Sequence, residues 1–275
     1  MSVESSSKSR RSDFIVLVVV IGLLGALVTP AIFTAREAAR RNQCADNLRR
    51  ISLGVINYTD TFQHFPASTV GSRKLPPEQR FSWFLPLWPF FEGKPPELQV
   101  NTNQAWDAEV KRSPQLRWVN SLEPEERLKA YPLHYIPIFS CPSASRNIRV
   151  QGVQVTQYAG MAGLGKNAAE LADGEIGVGI WGYDRQIAVR GITDGTAQTM
   201  LFVETVRHFG PWFAGGPPTV RGLDPAVVPL VGAQGQFGGL HSTVTAAMAD
   251  ASVRQIELGI DATVLSALVT IAGND

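Results

Sequence analysis

The sequence predicts an α+β protein with one long N-terminal helix, a head built mainly on an antiparallel β-sheet, and a short C-terminal helix. Three observations predict this class: an uncharged run near the N-terminus, an apolar stripe at helical spacing directly after it, and a C-terminal half of short apolar runs separated by turn residues. We expect the stripe of the helix to pack on the sheet, because each element has one apolar face to bury.

The uncharged run extends from Phe14 to Ala35 and contains 22 residues without a charged side chain. As a helix it would rise about 1.5 Å per residue and span roughly the 30 Å hydrocarbon core of a bilayer. Its Val and Ile content suggests a buried strand as the alternative, but strands usually end within about ten residues. We therefore assign residues 13–35 to a transmembrane helix whose partner is the lipid bilayer.

A cleaved signal peptide is the main alternative to a retained anchor. Basic side chains precede the run, and the triplet Thr29-Pro30-Ala31 has the small-x-small pattern of a cleavage site. The apolar part of such signals is only about 7 to 15 residues long, which favours the anchor here. Residues 1–12 are Ser-rich and basic, and they predict a disordered cytoplasmic leader.

Positive charge flanks both ends of the run, so charge alone does not orient the chain. Only a short leader precedes the run, whereas residues 36–275 follow it, and long domains translocate largely regardless of charge. We predict a single-pass protein of the inner (cytoplasmic) membrane with a cytoplasmic N-terminus and an extracytoplasmic C-terminal domain.

Residues 36–65 predict an amphipathic continuation of the same helix. Apolar side chains recur there at steps of four and three residues, which places them on one helix face. Pro66 marks the expected end of the helix. The stripe consists of Cys44, Leu48, Ile51, Val55, Tyr58 and Phe62.

Residues 66–275 predict one extracytoplasmic α+β head. Large aromatic and aliphatic side chains between 81 and 91 predict core packing rather than a ligand platform. Asp261 is a suitable N-cap for a terminal helix that continues to Ala272. Short runs rich in Val, Ile, Tyr and Phe predict strands at 133–140, 153–159, 176–181, 186–190, 199–206, 243–248 and 252–256.

Composition and motifs exclude several functions. The net charge of +1 and the pI near 7.8 provide no basic field for nucleic acid. Gly177, Gly179 and Gly182 have GxGxxG spacing, but no apolar strand precedes them, so a glycine-rich hairpin is the better interpretation. The motifs of zinc, calcium and nucleophile sites are missing, and the four His lie far apart in sequence. We therefore predict no enzyme activity, no cofactor and no metal site.

His241 and Asp250 flank an alternating strand. We expect them to be structural, with a hydrogen bond that orders the hairpin, because an acid–base pair without a nucleophile or a pocket does not make a catalytic site. The two cysteines, Cys44 and Cys141, allow at most one disulfide. Either they pair, which an oxidising compartment would favour, or they are two separate buried thiols, and sequence does not decide between these alternatives.

Eight segments follow one another along the chain: AREAARRNQC, NLRRISLGVINYTDTFQHFP, FSWFLPLWPFFE, IFSCPSAS, QYAGMAGLG, GITDGTAQTMLFVET, PWFAGG and FGGLHSTVTAAMADASVR. In this order they resemble a large bacterial prepilin-like family, related to type IV pilins and pseudopilins, that carries a domain of unknown function. Members of this family also end in a motif of His, nine residues and Asp-Gly, which resembles the segment from His241 to Asp250. The resemblance covers nearly the whole chain.

The chain departs from the family pattern at both ends. Eight residues, not nine, separate His241 from Asp250, and Ala251 replaces the Gly. Asp13 stands where a processed prepilin has Glu, and no Gly precedes it. We therefore predict that a prepilin peptidase leaves the N-terminus unprocessed.

The resemblance implies a membrane-anchored, pilin-like structural protein of the cell envelope. In such proteins the N-terminal helix also associates with copies of itself or with envelope and secretion proteins. The alternative is a membrane-anchored extracytoplasmic module that binds a ligand or glycan. A deep pocket lined by Trp181 and Trp212 would favour that alternative.

Overall fold

The computed structural model describes residues 4–91, 100–108, 136–144, 148–150 and 153–273. These residues form two compact units, one within residues 1–42 and one within residues 43–275. The prediction of a strand from 133 lies partly outside the described residues, as does the prediction for residues 1–3 of the leader. The structure confirms the α+β class.

Helix α1 extends from Glu4 to Phe62 over 59 residues. Residues 4–12, predicted as a disordered leader, are its first turns, because extending an existing helix costs far less than nucleating one. The helix ends before Pro66: Gln63 has a positive φ of 64°, and its N–H donates to the Thr59 carbonyl as in an αL cap.

The first unit contains the uncharged run, and thirteen large apolar side chains of this run are exposed. Within the described part of the chain, one helix, α1, is long and apolar enough to cross a membrane. Such a helix near an N-terminus suits a single-pass anchor or a signal sequence.

The second unit is organised around a five-stranded sheet of order β7-β5-β6-β8-β9, in which β5 and β7 are parallel and the other neighbours antiparallel. Two short antiparallel ribbons, β1-β2 and β3-β4, accompany it. The strands are β1 (Thr69–Val70), β2 (Phe81–Ser82), β3 (Arg149–Val150), β4 (Val153–Gln154), β5 (Tyr158–Leu164), β6 (Met200–Glu204), β7 (Val220–Leu223), β8 (Val244–Met248) and β9 (Val253–Ile256).

Both faces of the sheet are covered, which explains why β6 and β8 are buried at every residue rather than alternately. One face packs in a cluster with Leu48, Ile51 and Val55 of α1 and with a set of aromatic side chains. Helix α2 (Phe84–Leu87) belongs to the same cluster. Helix α3 (Ala262–Val269) contributes Leu265 and Val269 to the cluster on the other face.

Three predicted strands are wrong. The described part of 133–140 contains a 3-10 helix, Pro137–Phe139. Residues 176–181 make one isolated bridge, and residues 186–190 lead into a 3-10 helix, Val189–Gly191.

The buried guanidinium of Arg185 follows residues 176–181 and donates to five backbone carbonyls, two of which lie within that segment. Burial lowers the pKa of Arg185 to about 10, opposed by the charges of Asp173 and Glu175. The carbonyls belong to Ala168, Leu171, Ala162, Gly179 and Trp181.

Candidate functional site

A disulfide between Cys44 and Cys141 joins α1 to the segment 136–144, with 5.0 Å between the two Cα atoms. Cys44 is fully buried and Cys141 is 2% exposed. These are the two cysteines that the sequence leaves either paired or separate. Because α1 presents Cys44 on its apolar stripe, burial of the stripe brings the sulfur to the core side of the helix.

Side-chain amides hold the Cys141 segment in place. Asn47, one turn along α1 from Cys44, donates through Nδ2 to the carbonyls of Pro137 and Ser140, at 3.3 and 3.0 Å. The backbone N–H of Cys141 donates to Oε1 of Gln157 at 2.6 Å. The position of Cys141 is therefore fixed by hydrogen bonds as well as by the disulfide.

His241 lies beside the disulfide. Its Nε2 atom is 3.4 Å from the sulfur of Cys44 and 3.4 Å from the sulfur of Cys141. The residue is half-buried and precedes β8. The pairing of β8 with β6 carries this segment toward the end of β6.

Glu204 is the last residue of β6 and is only 1% exposed. Its Oε2 accepts from the Thr245 N–H at 3.4 Å, whereas Oε1 has no hydrogen-bond partner among the described residues. Burial raises the pKa of the Glu204 carboxyl, and hydrogen bonds from Thr245 and the charge of His241 oppose this. The carboxylate is thus a buried acceptor with unused capacity.

A glycine makes room for this carboxylate. A Cβ atom at Gly239 would lie 2.3 Å from Oε2 of Glu204. The neighbouring Gly238 N–H donates to the Glu204 carbonyl at 3.0 Å. The GGLH segment therefore brings its backbone against the Glu204 side chain and then presents His241.

Together, one donor atom from each of Cys44, Cys141, Glu204 and His241 lies within 4.8 Å of all the others. Two sulfurs, an imidazole nitrogen and a carboxylate oxygen form a set that suits a borderline-soft divalent cation when the sulfurs are thiolates. Sequence reasoning missed Glu204. The available signal was one carboxylate in the apolar run MLFVE, since a lone acidic residue in a buried strand needs a partner.

The predicted hydrogen bond between His241 and Asp250 is wrong, because the two residues lie at opposite ends of β8. Five residues of strand separate them, which corresponds to roughly 16 Å at about 3.3 Å per residue. Oδ1 of Asp250 instead accepts from the Ser252 N–H at 2.8 Å, in the turn where Ala251 has a φ of 64°. Asp250 thus helps to order the β8-β9 turn, together with backbone hydrogen bonds from Met248 to Ser252 and from Ala251 to Met248.

Among the described residues, Trp181 and Trp212 do not line an open pocket of the kind that would favour a binding module. Trp181 and Trp212 are fully buried in the core, where the indole N–H of Trp181 donates to the Leu201 carbonyl at 2.8 Å. The GxGxxG segment makes one isolated antiparallel bridge, between Gly163 and Val178, rather than a regular hairpin.

A different pocket, of about 580 Å³, lies beside β7. Arg221 lines it and donates to the His208 carbonyl at 2.9 Å and to the Thr205 hydroxyl at 2.6 Å. Its guanidinium carbon is 5.3 Å from the centre of the Phe237 ring. Its Nε–H is buried without a partner among the described residues, and burial lowers the pKa of Arg221 to about 10.

Comparison with known proteins identifies a family but no characterised relative. The family model described as "Protein of unknown function (DUF1559)" matches residues 34–221. The match covers more than half of the chain, includes Cys44, Cys141 and Glu204, and ends before His241. No curated protein and no solved structure matches the chain. The chain therefore belongs to the DUF1559 family of proteins of unknown function.

Proposed function

We propose that this protein is a membrane-anchored, pilin-like structural protein of the cell envelope. The observation that carries the proposal is the exposed apolar surface of α1: between Phe14 and Phe33, thirteen large apolar side chains are 44 to 72% exposed. An apolar surface of this extent needs a lipid or protein partner. A bilayer satisfies the whole circumference of a helix at once.

The second half of α1 supports the same role. Leu48, Ile51 and Val55 are fully buried in the core of the second unit. One uninterrupted helix thus supplies both the proposed anchor and part of the core of the head. This arrangement suits a protein that presents a folded head at a membrane surface.

We propose that the head is extracytoplasmic and that the N-terminus stays in the cytoplasm of the inner membrane. An oxidising compartment would maintain the Cys44–Cys141 disulfide, which supports export of the head. The proposed partners are the lipid bilayer and, through the N-terminal helix, copies of this chain or envelope and secretion proteins. We propose a structural rather than an enzymatic role, without nucleic acid as a partner and without a catalytic cofactor.

A protease experiment on intact spheroplasts tests the topology. We expect external protease to digest the head while the protein of intact cells is protected. A photoreactive residue replacing Leu27, which is 72% exposed, should cross-link to a second copy or to an envelope protein. The matched replacement of Leu53, which is 43% exposed in the second unit, serves as the control. A head that resists protease until the spheroplasts are lysed would contradict the proposal.

The pocket beside β7 favours a second candidate, a module that binds an acidic sugar or a related carboxylate. The cations Lys166, Arg207 and Arg221 line this pocket and would attract a ligand carboxylate. The acids Glu78, Glu170 and Asp224 also line it and would accept from sugar hydroxyls. Calorimetric titration with a hexuronate tests this candidate, with the neutral hexose as the control. Binding of the hexuronate that Arg207→Ala weakens would support it, whereas no heat above that of the hexose would exclude it.

A further inference from the structure

The Glu204 carboxylate beside the disulfide has hydrogen-bonding capacity that the disulfide does not satisfy. A disulfide sulfur carries no charge and is a weak hydrogen-bond acceptor, so it does not compensate the buried carboxylate of Glu204. Oε1 of Glu204 has no hydrogen-bond partner among the described residues, although the residue is only 1% exposed. Burying an acidic group in this way costs stability unless a cation or donor accompanies it.

We propose that the dithiol form of this protein binds one Zn²⁺ ion through Cys44, Cys141, His241 and Glu204. The two thiolates, Nε2 of the imidazole and one carboxylate oxygen would form a closed, four-coordinate site of the structural type. No family assignment or sequence motif indicates this site, because its four ligands come from α1, the 136–144 segment, β6 and the loop before β8.

The imidazole nitrogen of His241 already lies at about the distance from each sulfur that tetrahedral coordination needs. Zinc lies about 2.3 Å from sulfur and about 2.0 to 2.1 Å from nitrogen or oxygen, so neighbouring ligand atoms are roughly 3.3 to 3.8 Å apart. Nε2 of His241 is already 3.4 Å from each sulfur, and all four donors lie within 4.8 Å of one another. Metal binding requires the two bonded sulfurs to part and any donor pair near the 4.8 Å limit to close by roughly 1 Å.

The ligand set also fits the charge of the metal. Two thiolates and the Glu204 carboxylate bring three negative charges to a buried site, and Zn²⁺ compensates two of them. The unused oxygen of Glu204 gains a cation as its partner. Gly239 admits the carboxylate in this position because a larger residue would collide with it.

The two states differ by a balanced thiol–disulfide exchange. A dithiol reductant transfers two electrons and two protons to the disulfide, giving the thiols of Cys44 and Cys141 and a disulfide of the reductant. Zn²⁺ then replaces the two thiol protons, which are released to solvent. The metal would keep α1 cross-linked to the 136–144 segment and the sheet after the disulfide is broken.

Metal titration of the full-length chain in detergent tests this inference. The protein is reduced with a phosphine, freed of metal and titrated with Zn²⁺, and Co²⁺ serves as the spectroscopic probe. We expect one Zn²⁺ per reduced chain after gel filtration, and a thiolate-to-cobalt charge-transfer band with Co²⁺. The oxidised chain should retain no Zn²⁺ at this site and show no such band.

Three variants identify the ligands. His241→Ala and Glu204→Gln should each weaken Zn²⁺ binding at least tenfold, whereas His208→Ala, a histidine beside the β7 pocket, should leave it unchanged. The cobalt spectrum of the unaltered protein decides the case if a variant fails to fold. The inference is overturned if the reduced chain retains no Zn²⁺, if it shows no thiolate band, or if folded His241→Ala binds as tightly as the unaltered protein.

Discussion

Thirteen large apolar side chains of α1 between Phe14 and Phe33 are 44 to 72% exposed, whereas Leu48, Ile51 and Val55 further along the same helix are fully buried. Residues 14–35, the first half in this comparison, carry no charged side chain on any face of the helix, whereas residues 36–62, the second half, are apolar on one face only. The difference teaches that an apolar residue in this helix has two different roles. Where apolar residues recur every three or four positions, they lie on one face and stabilise the head. Where they occupy every face of the helix, they provide a surface suited to a membrane.

Replacement of one leucine in each half gives the largest contrast. Leu48→Ala should lower the free energy of unfolding of the head by about 2 to 5 kcal/mol, because it leaves a cavity in a packed core. Leu24→Ala, at a side chain that is 56% exposed, should leave that free energy unchanged. Denaturant unfolding in detergent, followed by tryptophan fluorescence, measures both. Equal effects of the two substitutions would remove the distinction between the halves.

Removal of the disulfide tests how much the link between the second half of α1 and the head contributes to the free energy of unfolding. Cys44→Ser with Cys141→Ser should lower the free energy of unfolding by about 2 to 4 kcal/mol, since the bond closes a long loop. The sequence separation that it closes is 97 residues.

Reduction supplies the control for this prediction. In buffer with a metal chelator, a phosphine should destabilise the unaltered chain and leave the double variant unaffected. An unfolding midpoint of the unaltered chain that does not respond to reduction would show that the second half is held without the bond.

An arginine placed in each half should have the opposite pattern of effects, because it should disturb membrane insertion of the first half and leave the second half unaffected. Leu24→Arg should cost about 2.5 to 3.5 kcal/mol of insertion free energy and lower the fraction that remains in carbonate-washed membranes. Leu53→Arg, on the exposed face of the second half, should leave membrane retention and folding unchanged. Equal retention of the two variants would argue that the first half does not lie in the bilayer.

The smallest effect concerns α3, a short helix that depends on its cap. Oδ1 of Asp261 accepts from the N–H groups of Thr263 and Val264, at 2.8 and 3.3 Å, and these bonds lower the pKa of Asp261. A lowered folded pKa adds stability above the unfolded pKa of about 3.9, and this stability is lost as the pH falls through the folded value.

Asp261→Asn, which keeps a capping oxygen without the charge, should therefore reduce the acid-induced fall in melting temperature below about pH 4. A melting curve series from pH 7 to pH 2 measures the difference. α1 provides the contrast, because its 59 residues do not depend on one cap. An identical fall in melting temperature below pH 4 in the variant would show that the charge of Asp261 does not stabilise the head.

Sequence patterns predicted the long helix, β6, β8, β9 and the capped terminal helix, because each has the period or the cap of its element. The predicted stripe is buried as far as Tyr58, but Phe62 is 49% exposed. The terminal helix ends at Val269 rather than at Ala272. They missed most of β5, whose Gly160 has low strand propensity but is required where a Cβ would lie 2.8 Å from the Trp181 ring. They also missed β7. They wrongly assigned a strand at 176–181, where Arg185 donates to the backbone carbonyls of Gly179 and Trp181, and no local sequence pattern encodes such hydrogen bonds.

The candidate site was less predictable than the fold. The sequence leaves Cys44 and Cys141 either as a disulfide or as two separate thiols, and the structure shows the disulfide. The sequence pairs His241 with Asp250, but the structure places Asp250 at the other end of β8. Glu204 was not recognised. Four residues from four separate segments meet only after the sheet has formed, and no spacing within a single segment encodes such a meeting.

The intact mass and the membrane retention of the same sample test the central claim most directly. The account predicts that carbonate-washed membranes hold a chain that retains residues 14–35, with a mass near 29.9 kDa for the sequence as given, and no methylated N-terminus between residues 12 and 15. A soluble head whose N-terminus lies near Ala31 would show that the first half of α1 is a signal peptide, and it would contradict the account.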